Sequence, residues 1–493
     1  MNDDIRQLEP AALWGYFADL NAVPRPSKRE QRAAAFVMDF GTRLGLPTTQ
    51  DDTGNVLIRK PATPGLENRV KLVLQGHLDM VHQKNAETDF DFDSEGIRMR
   101  VDGDWVKAEG TTLGADNGIG VAAIMAILAA DDIRHPALEA LFTIDEETGM
   151  TGASGLRDDV LSGEILLNLD TEDDTELTIG CAGAVNVGAS GSYAEEPPER
   201  HDAAFRLSVK GLTGGHSGMD IHRGRGNANR LINRLLSAAA EECGLHIGAI
   251  DAGGLRNAIP REAFAIVTVR RSRVAALQEF IAAQAAVLRS EYAVTDPNLE
   301  VLLEPAEQPA TLLAPAFQQD LLRAVYACPN GVYRMSPEID GLVQTSNNLA
   351  RLRVDAGTYE ILCLVRSAVD SEKMDLARAI RGAFELLGAK VSFSGAYPGW
   401  APRPEAPVVK LMSGLYEELF GREPEVLACH AGLECGIIGA RYPAMQMISF
   451  GPNIRGAHSP DEKAQISSVQ KFWRLLLEAL HRMPGQSRSS TGV

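Results

Sequence analysis

Three runs in the first third of the chain, VKLVLQ (residues 70–75), ALEALFTI (137–144) and EILLNL (164–169), are apolar and of strand length. The amphipathic REQRAAAFVMDFGTRLG (29–45) and the apolar stretch 118–130 between them suit helices. Strand and helix therefore alternate, and that alternation predicts an α/β sheet with both faces covered.

The pattern changes at GSYAEEPPERHDAAF (191–205), where Pro197 and Pro198 interrupt it, and again at SGAYPGWAPRPEAP (394–407), which carries four prolines. Between these stretches lies an α+β block. Its expected strands are AAFRLSVKG (203–211), AFAIVTVRR (263–271) and YEILCLVRS (359–367), and its expected helices are residues 227–242 and 317–327. Beyond Pro407 a helix (408–421), a strand (444–451) and a closing helix (469–483) follow. One α/β domain built from both ends of the chain, residues 1–185 and 393–493, with a second domain inserted at 186–392, is the simplest organisation. The similarity of RNAIPREAFAIVTV to SNNLARLRVDAGTYEILCLVRS admits either a doubled inserted domain or chance.

A length of 493 residues exceeds what one hydrophobic core usually supports, which agrees with two domains. The formal charge of −18, with no lysine-rich or arginine-rich block, excludes a nucleic-acid or anionic-membrane partner from the expectations. The acidic amino terminus lacks the pattern of a secretory signal, and a cytoplasmic location is expected. Six scattered cysteines form no CxxC pair, so a metal, if bound, should be held by imidazole and carboxylate.

Several predicted strands end on such groups. QGHLDM places His77 and Asp79 after the first run, LFTIDEE places Asp145, Glu146 and Glu147 after the second, and Asp170 follows the third. His458 follows the strand near 444–451, and Asp116 sits in the glycine-rich EGTTLGADNGIG before a helix. Taken alone, Asp116 or Asn117 reads as a helix N-cap. Taken together, the strand ends lie where α/β sheets bind ligands, and the ligand types suit zinc or manganese. Adjacent Glu146 and Glu147 can divide the work of base and ligand.

GHLDMV, TTLGADNGIG, DEETGMTGA, LLNLDTED, GGHSG, HAGLECG and GAHSPDE, in this order, resemble the M20 family of two-metal peptidases. The similarity is greatest to its cytosolic aminoacyl-histidine dipeptidase branch. The resemblance implies a two-metal catalytic domain, with a mixed sheet covered by helices, and an inserted α+β lid domain. It implies that His77, Asp116, Glu147, Asp170 and His458 bind two divalent ions, zinc with manganese or cobalt as alternatives, and that Asp116 bridges them. Asp79 would orient His77, and Glu146 would be the general base.

In the inserted domain the resemblance makes His216 of GGHSG a donor to the oxyanion, in its own or a partner's site. Arg366 is expected to grip the substrate carboxylate, with Asn257 adding a polar contact. His430 and Glu434, four apart and able to share a helical face, invite a metal reading, but the resemblance makes them structural or supports behind the ligands. His82, His135, His201, His222, His246 and His481 are expected to be incidental. The implied activity is hydrolysis of unblocked dipeptides, Xaa-His preferred and β-Ala-His among the candidates, by a homodimer. An N-acyl amino acid deacylase, a tripeptidase and a non-catalytic metal binder are the rival readings.

Overall fold

The apolar runs of the first third become neighbouring strands. Leu72–His77 pairs in parallel with Leu138–Thr143 on one side and Ile165–Asn168 on the other. Every residue of all three is buried, as expected for parallel strands covered on both faces. Gln446–Ser449, from far along the chain, adds in parallel beside Ile165–Asn168. The four carboxyl ends thus emerge along one edge. Antiparallel strands flank this centre and complete an eight-stranded mixed sheet.

These coordinates come from a computed structural model, which describes residues 3–199 and 202–485. The chain divides into two compact units. The first holds the eight-stranded sheet and is built from the chain up to Gly180, Pro402–Ala428 and the chain from Leu433 onward. The second comprises Cys181–Ala401 and Cys429–Gly432.

Within the first unit the helix Ala115–Ala129 is buried on almost all sides. Its Ile119, Ile124 and Ile127 have no exposed surface, each contributing roughly 1.5–3 kcal/mol by leaving water. Residues 116 and 117 are not helical, and regular helix begins at Gly118, where sequence places it. The N-cap position is Gly114, with no side-chain cap bond. The plain N-cap reading of Asp116 or Asn117 is therefore corrected, because Asn117 Nδ2 donates instead to Leu169 O at 2.5 Å.

The second unit is a nine-stranded sheet backed by helices. Its core joins Leu231, Leu235 and Ala239 of Ala228–Cys243 to Val267, Leu352 and Ile361 of the sheet. The two similar segments run onto Ala263–Arg270 and Thr358–Ser367, strands that hold matching places in the two halves of this one sheet.

Candidate metal centre

All five expected ligands converge within the first unit. Asp116 stands between two imidazoles: its Oδ1 is 3.1 Å from His77 Nε2 and its Oδ2 is 3.2 Å from His458 Nε2. Asp170 Oδ1 lies 3.3 Å from His77 Nε2, and Glu147 Oε2 lies 3.0 Å from His458 Nε2. Two triads result, His77–Asp116–Asp170 and Asp116–Glu147–His458, each with its donor atoms within 4.8 Å of one another. Asp116 alone belongs to both.

Four of the five side chains close or follow strands, and Asp116 sits in the irregular first turn of Ala115–Ala129. His77 closes Leu72–His77, Glu147 lies in the turn after Leu138–Thr143, and Asp170 follows Ile165–Asn168. His458, on the segment after Gln446–Ser449, has φ of 64°. Non-glycine residues rarely adopt that left-handed conformation, and its cost is most often met at functional sites.

Asp79 holds the strand tip and the acidic turn together. Its Oδ1 is 3.3 Å from His77 Nδ1. Its carboxylate also accepts the amides of Glu146 at 2.9 Å and Glu147 at 3.2 Å, and the Ser27 hydroxyl at 2.8 Å. One fully buried anion thereby orients an imidazole and the backbone of both glutamates. Asp145, with φ of 54°, braces the same turn by accepting from Lys28 at 2.5 Å and Thr151 at 2.6 Å.

Charges in this cluster displace one another's proton equilibria. Hydrogen bonds to Asp116 and Glu147 push His458 up to about 11. Burial disfavours charge on His77, yet Asp170, Asp116 and Asp79 outweigh it and raise the imidazole well above its usual value. Burial lifts Asp170 to about 6 and, with Asp116 nearby, lifts Glu147. Glu146 is raised well above the ordinary carboxylate range by burial, and Asp170, Glu147 and Glu434 add to the rise.

The donor set fits a pair of divalent cations. It offers two imidazoles and three carboxylates, one of them shared, and Glu147 Oε1 is buried without a hydrogen-bond partner. Nitrogen and oxygen donors of this kind suit zinc, manganese or cobalt.

In the second unit, the short strand Gly215–His216 pairs with Ala258–Ile259, and Asn257 O accepts the Ser217 amide at 2.8 Å. His216 Nδ1 accepts the amides of Gly218 and Met219 at 3.2 and 3.0 Å. Its proton therefore sits on Nε2. Burial, with Arg366 nearby, lowers this imidazole to about 4, so it is neutral at physiological pH. Arg366 Nη2 is 3.4 Å from His216 Nε2, which leaves two donors facing one another. Tyr397 Oη accepts from Arg366 Nη1 at 3.3 Å, and the guanidinium Nε is buried and unpaired. The Asn257 side chain is exposed.

His430 and Glu434 do not share a helical face. His430 precedes the helix Glu434–Arg441 and belongs to the second unit, where Ser346 Oγ meets its Nε2 at 2.7 Å. Glu434 lies in the first unit and accepts from Gln75 and Thr143, each at 2.6 Å. His82, His135, His222, His246 and His481 join no ligand group among the described residues. His201 lies outside the described residues.

Sequence reading missed Ser27, Arg25 and Glu462. Arg25 is buried and donates to Leu78 O, Asp79 O and Gly114 O. Glu462 accepts four consecutive amides, those of residues 113–116. Glu172, close behind Asp170 in the chain, is raised to about 8 by burial with Asp116 and Asp170 nearby.

A model of peptidase family M20/M25/M40 matches residues 73–482. The cytosol non-specific dipeptidase of Escherichia coli is 42% identical over 483 residues, 98% of this chain and 100% of that protein. The crystal structure of aminoacylhistidine dipeptidase from Vibrio alginolyticus is 43% identical, with a TM-score of 0.91 over 98% of this chain and 99% of that one. Aminopeptidase PepT from Bacillus cereus, at 16% identity and a TM-score of 0.60 over 96% and 98% of the chains, shares the fold.

Proposed function

The chain belongs to peptidase family M20/M25/M40, and from that premise we propose that it is a two-metal dipeptidase acting on unblocked dipeptides, with carboxy-terminal histidine preferred. The observation that carries this reading is the position of Asp116, whose two carboxylate oxygens face two separate triads. His77, Asp116 and Asp170 would hold one ion, and Asp116, Glu147 and His458 the other. Zinc is the proposed metal, with manganese and cobalt as alternatives. When bound, the pair supplies Lewis acidity toward a carbonyl oxygen and toward water.

Glu146 takes the proton from the attacking water and delivers it to the leaving amine as the C–N bond breaks. Its raised proton affinity suits both transfers near neutral pH. Asp79 acts at one remove, holding His77 and the Glu146 backbone in register. His216, protonated on Nε2, donates to the developing oxyanion, and Arg366 binds the terminal carboxylate with Asn257 beside it. The mutually facing donors of His216 and Arg366 support this, since a substrate oxygen would satisfy both.

The relatives' names support a dipeptidase and differ in breadth, one non-specific and one directed at aminoacyl-histidine. The Escherichia coli relative is named a cytosol enzyme, which supports a cytoplasmic location for this one. No helix among the described residues is long and apolar enough to cross a membrane. We propose a homodimer, for which light scattering should read twice 53.1 kDa.

The test is hydrolysis of Xaa-His dipeptides including β-Ala-His, other dipeptides, a tripeptide and an N-acetyl amino acid, before and after zinc is restored to stripped protein. Cleavage confined to free dipeptides, fastest on Xaa-His, is expected. Equal rates on all dipeptides would remove the histidine preference alone. Cleavage of only the acylated compound or the tripeptide would sink the dipeptidase reading.

A further inference from the structure

The loop that carries Asp116, residues 113–116, is gripped from two chemically opposite sides. On its carbonyl side Arg25 donates to Gly114 O at 2.6 Å. The same guanidinium reaches Leu78 O at 3.1 Å, Asp79 O at 3.2 Å and Asn21 Oδ1 at 2.9 Å. On its amide side Glu462 Oε2 accepts from Leu113 at 2.7 Å and Gly114 at 3.0 Å. Glu462 Oε1 accepts from Ala115 at 2.7 Å and Asp116 at 3.3 Å. Arg25 is 1% exposed and Glu462 2%.

Burying a guanidinium and a carboxylate is costly even when both are fully bonded, and here neither is spent on a partner side chain of opposite charge. Glu462 is spent wholly on the backbone of that loop, while Arg25 divides its bonds among the loop, the strand tip and Asn21. The sequence around them has made room: a Cβ on Gly114 would stand 2.5 Å from Arg25 Nη2, and one on Gly118 would stand 2.6 Å from it. Arg25 also ties that loop to the tip of the strand carrying His77, through Leu78 O and Asp79 O. It thereby spans the two segments whose side chains, His77 and Asp116, come within 3.1 Å.

We propose that Arg25 and Glu462 are positioning residues for Asp116, fixing the loop so that its carboxylate can serve two ions at once, and that together they set the affinity of the centre for its metal pair. The proposal rests on the reading of Asp116 as the bridging ligand. Neither residue is placed at the reacting atoms, and their influence on Asp116 runs through the backbone they hold.

The experiment uses the full chain carrying Arg25→Met, Arg25→Lys, Glu462→Gln or the double change Arg25→Met with Glu462→Gln, and Asp116→Ala as control. Zinc stoichiometry and affinity are read by competition with a chromophoric chelator, and folding is followed by circular dichroism. Arg25→Met and Glu462→Gln should each weaken zinc binding about 10–100-fold, with Arg25→Lys restoring part of the loss. The double variant should lose less than the product of the single losses, because both grips act on one loop. Wild-type affinity in Arg25→Met and Glu462→Gln, while Asp116→Ala loses an ion, overturns the proposal alone. Two ions bound normally by Asp116→Ala overturn the bridging reading and the proposal with it. Should Arg25→Met fail to fold, wild-type affinity in both Glu462→Gln and Arg25→Lys would still overturn it.

Discussion

Glu146 and Glu147 are adjacent, yet their amides converge on the single carboxylate of Asp79 while their side chains face different tasks. Glu147 points at His458, 3.0 Å away, whereas Glu146, though its carboxylate lies within 4.8 Å of His77 and Glu147 donor atoms, makes no ion pair among the described residues. Replacing Glu146 by Gln should therefore lower turnover about 10²–10⁴-fold while the protein still carries its metal, a split read by steady-state kinetics beside metal analysis. Loss of metal together with activity would make Glu146 a ligand instead of a base. At this scale the sequence was informative where a side chain of the cluster lies within a motif. His77, Asp79, Glu147 and Asp170 stand at or near strand ends and Asp116 at the start of a helix, each within a motif. Arg25 and Ser27 were not legible, and Glu462, although it closes the GAHSPDE motif, gave no sign of its role, because the backbone of residues 113–116 that it bonds lies far away in the chain.

Among the elements, the helix Ala115–Ala129 shows how far a local pattern reaches. Its apolar run marks a buried segment, and buried it is. The turn before it could not be read as it stands, since a short acidic residue ahead of a helix looks like a cap whatever its partner. Glycine 118 sits where that helix becomes regular, and a Cβ there would meet Arg25 Nη2 at 2.6 Å and Phe17 Cε2 at 2.9 Å. Gly118→Ala should accordingly destabilise the protein by about 1–3 kcal/mol, the range for overpacking, despite alanine's better helix propensity. Urea denaturation measures it, and a stabilised variant would mean that the guanidinium and the ring can yield. The parallel strands were the most legible elements of all, because burial on both faces leaves a mostly apolar run in the sequence, broken only by single polar residues such as Glu139 and Gln75.

For the molecule as a whole, the chain's path was readable only in outline. Proline-rich stretches announce a change of composition, but the brief excursion of Cys429–Gly432 into the second unit has no compositional mark. His430 lies on that excursion, and burial, with Arg366, His216 and His222 nearby, lowers it to about 3. The folded chain therefore binds fewer protons than the unfolded chain between that value and the ordinary histidine value near 6.5. Stability from this group is complete above about 6.5 and falls as pH drops through the window, by at most about 1.4 kcal/mol per pH unit. Thermal unfolding of the wild type and His430→Asn across that range should show a shallower decline in the variant; parallel curves would refute the assignment. The interleaved path also has a consequence during synthesis. Gln446–Ser449 lies between Ile165–Asn168 and Glu176–Cys181 in the sheet, and His458 follows Asp170 by roughly 290 residues. At about 5–20 residues per second, the ribosome leaves that slot open for roughly 15–60 s. A growing chain must carry two unpaired strand edges through that interval, exposed to mispairing, and cannot assemble its second triad until the last stretch has emerged.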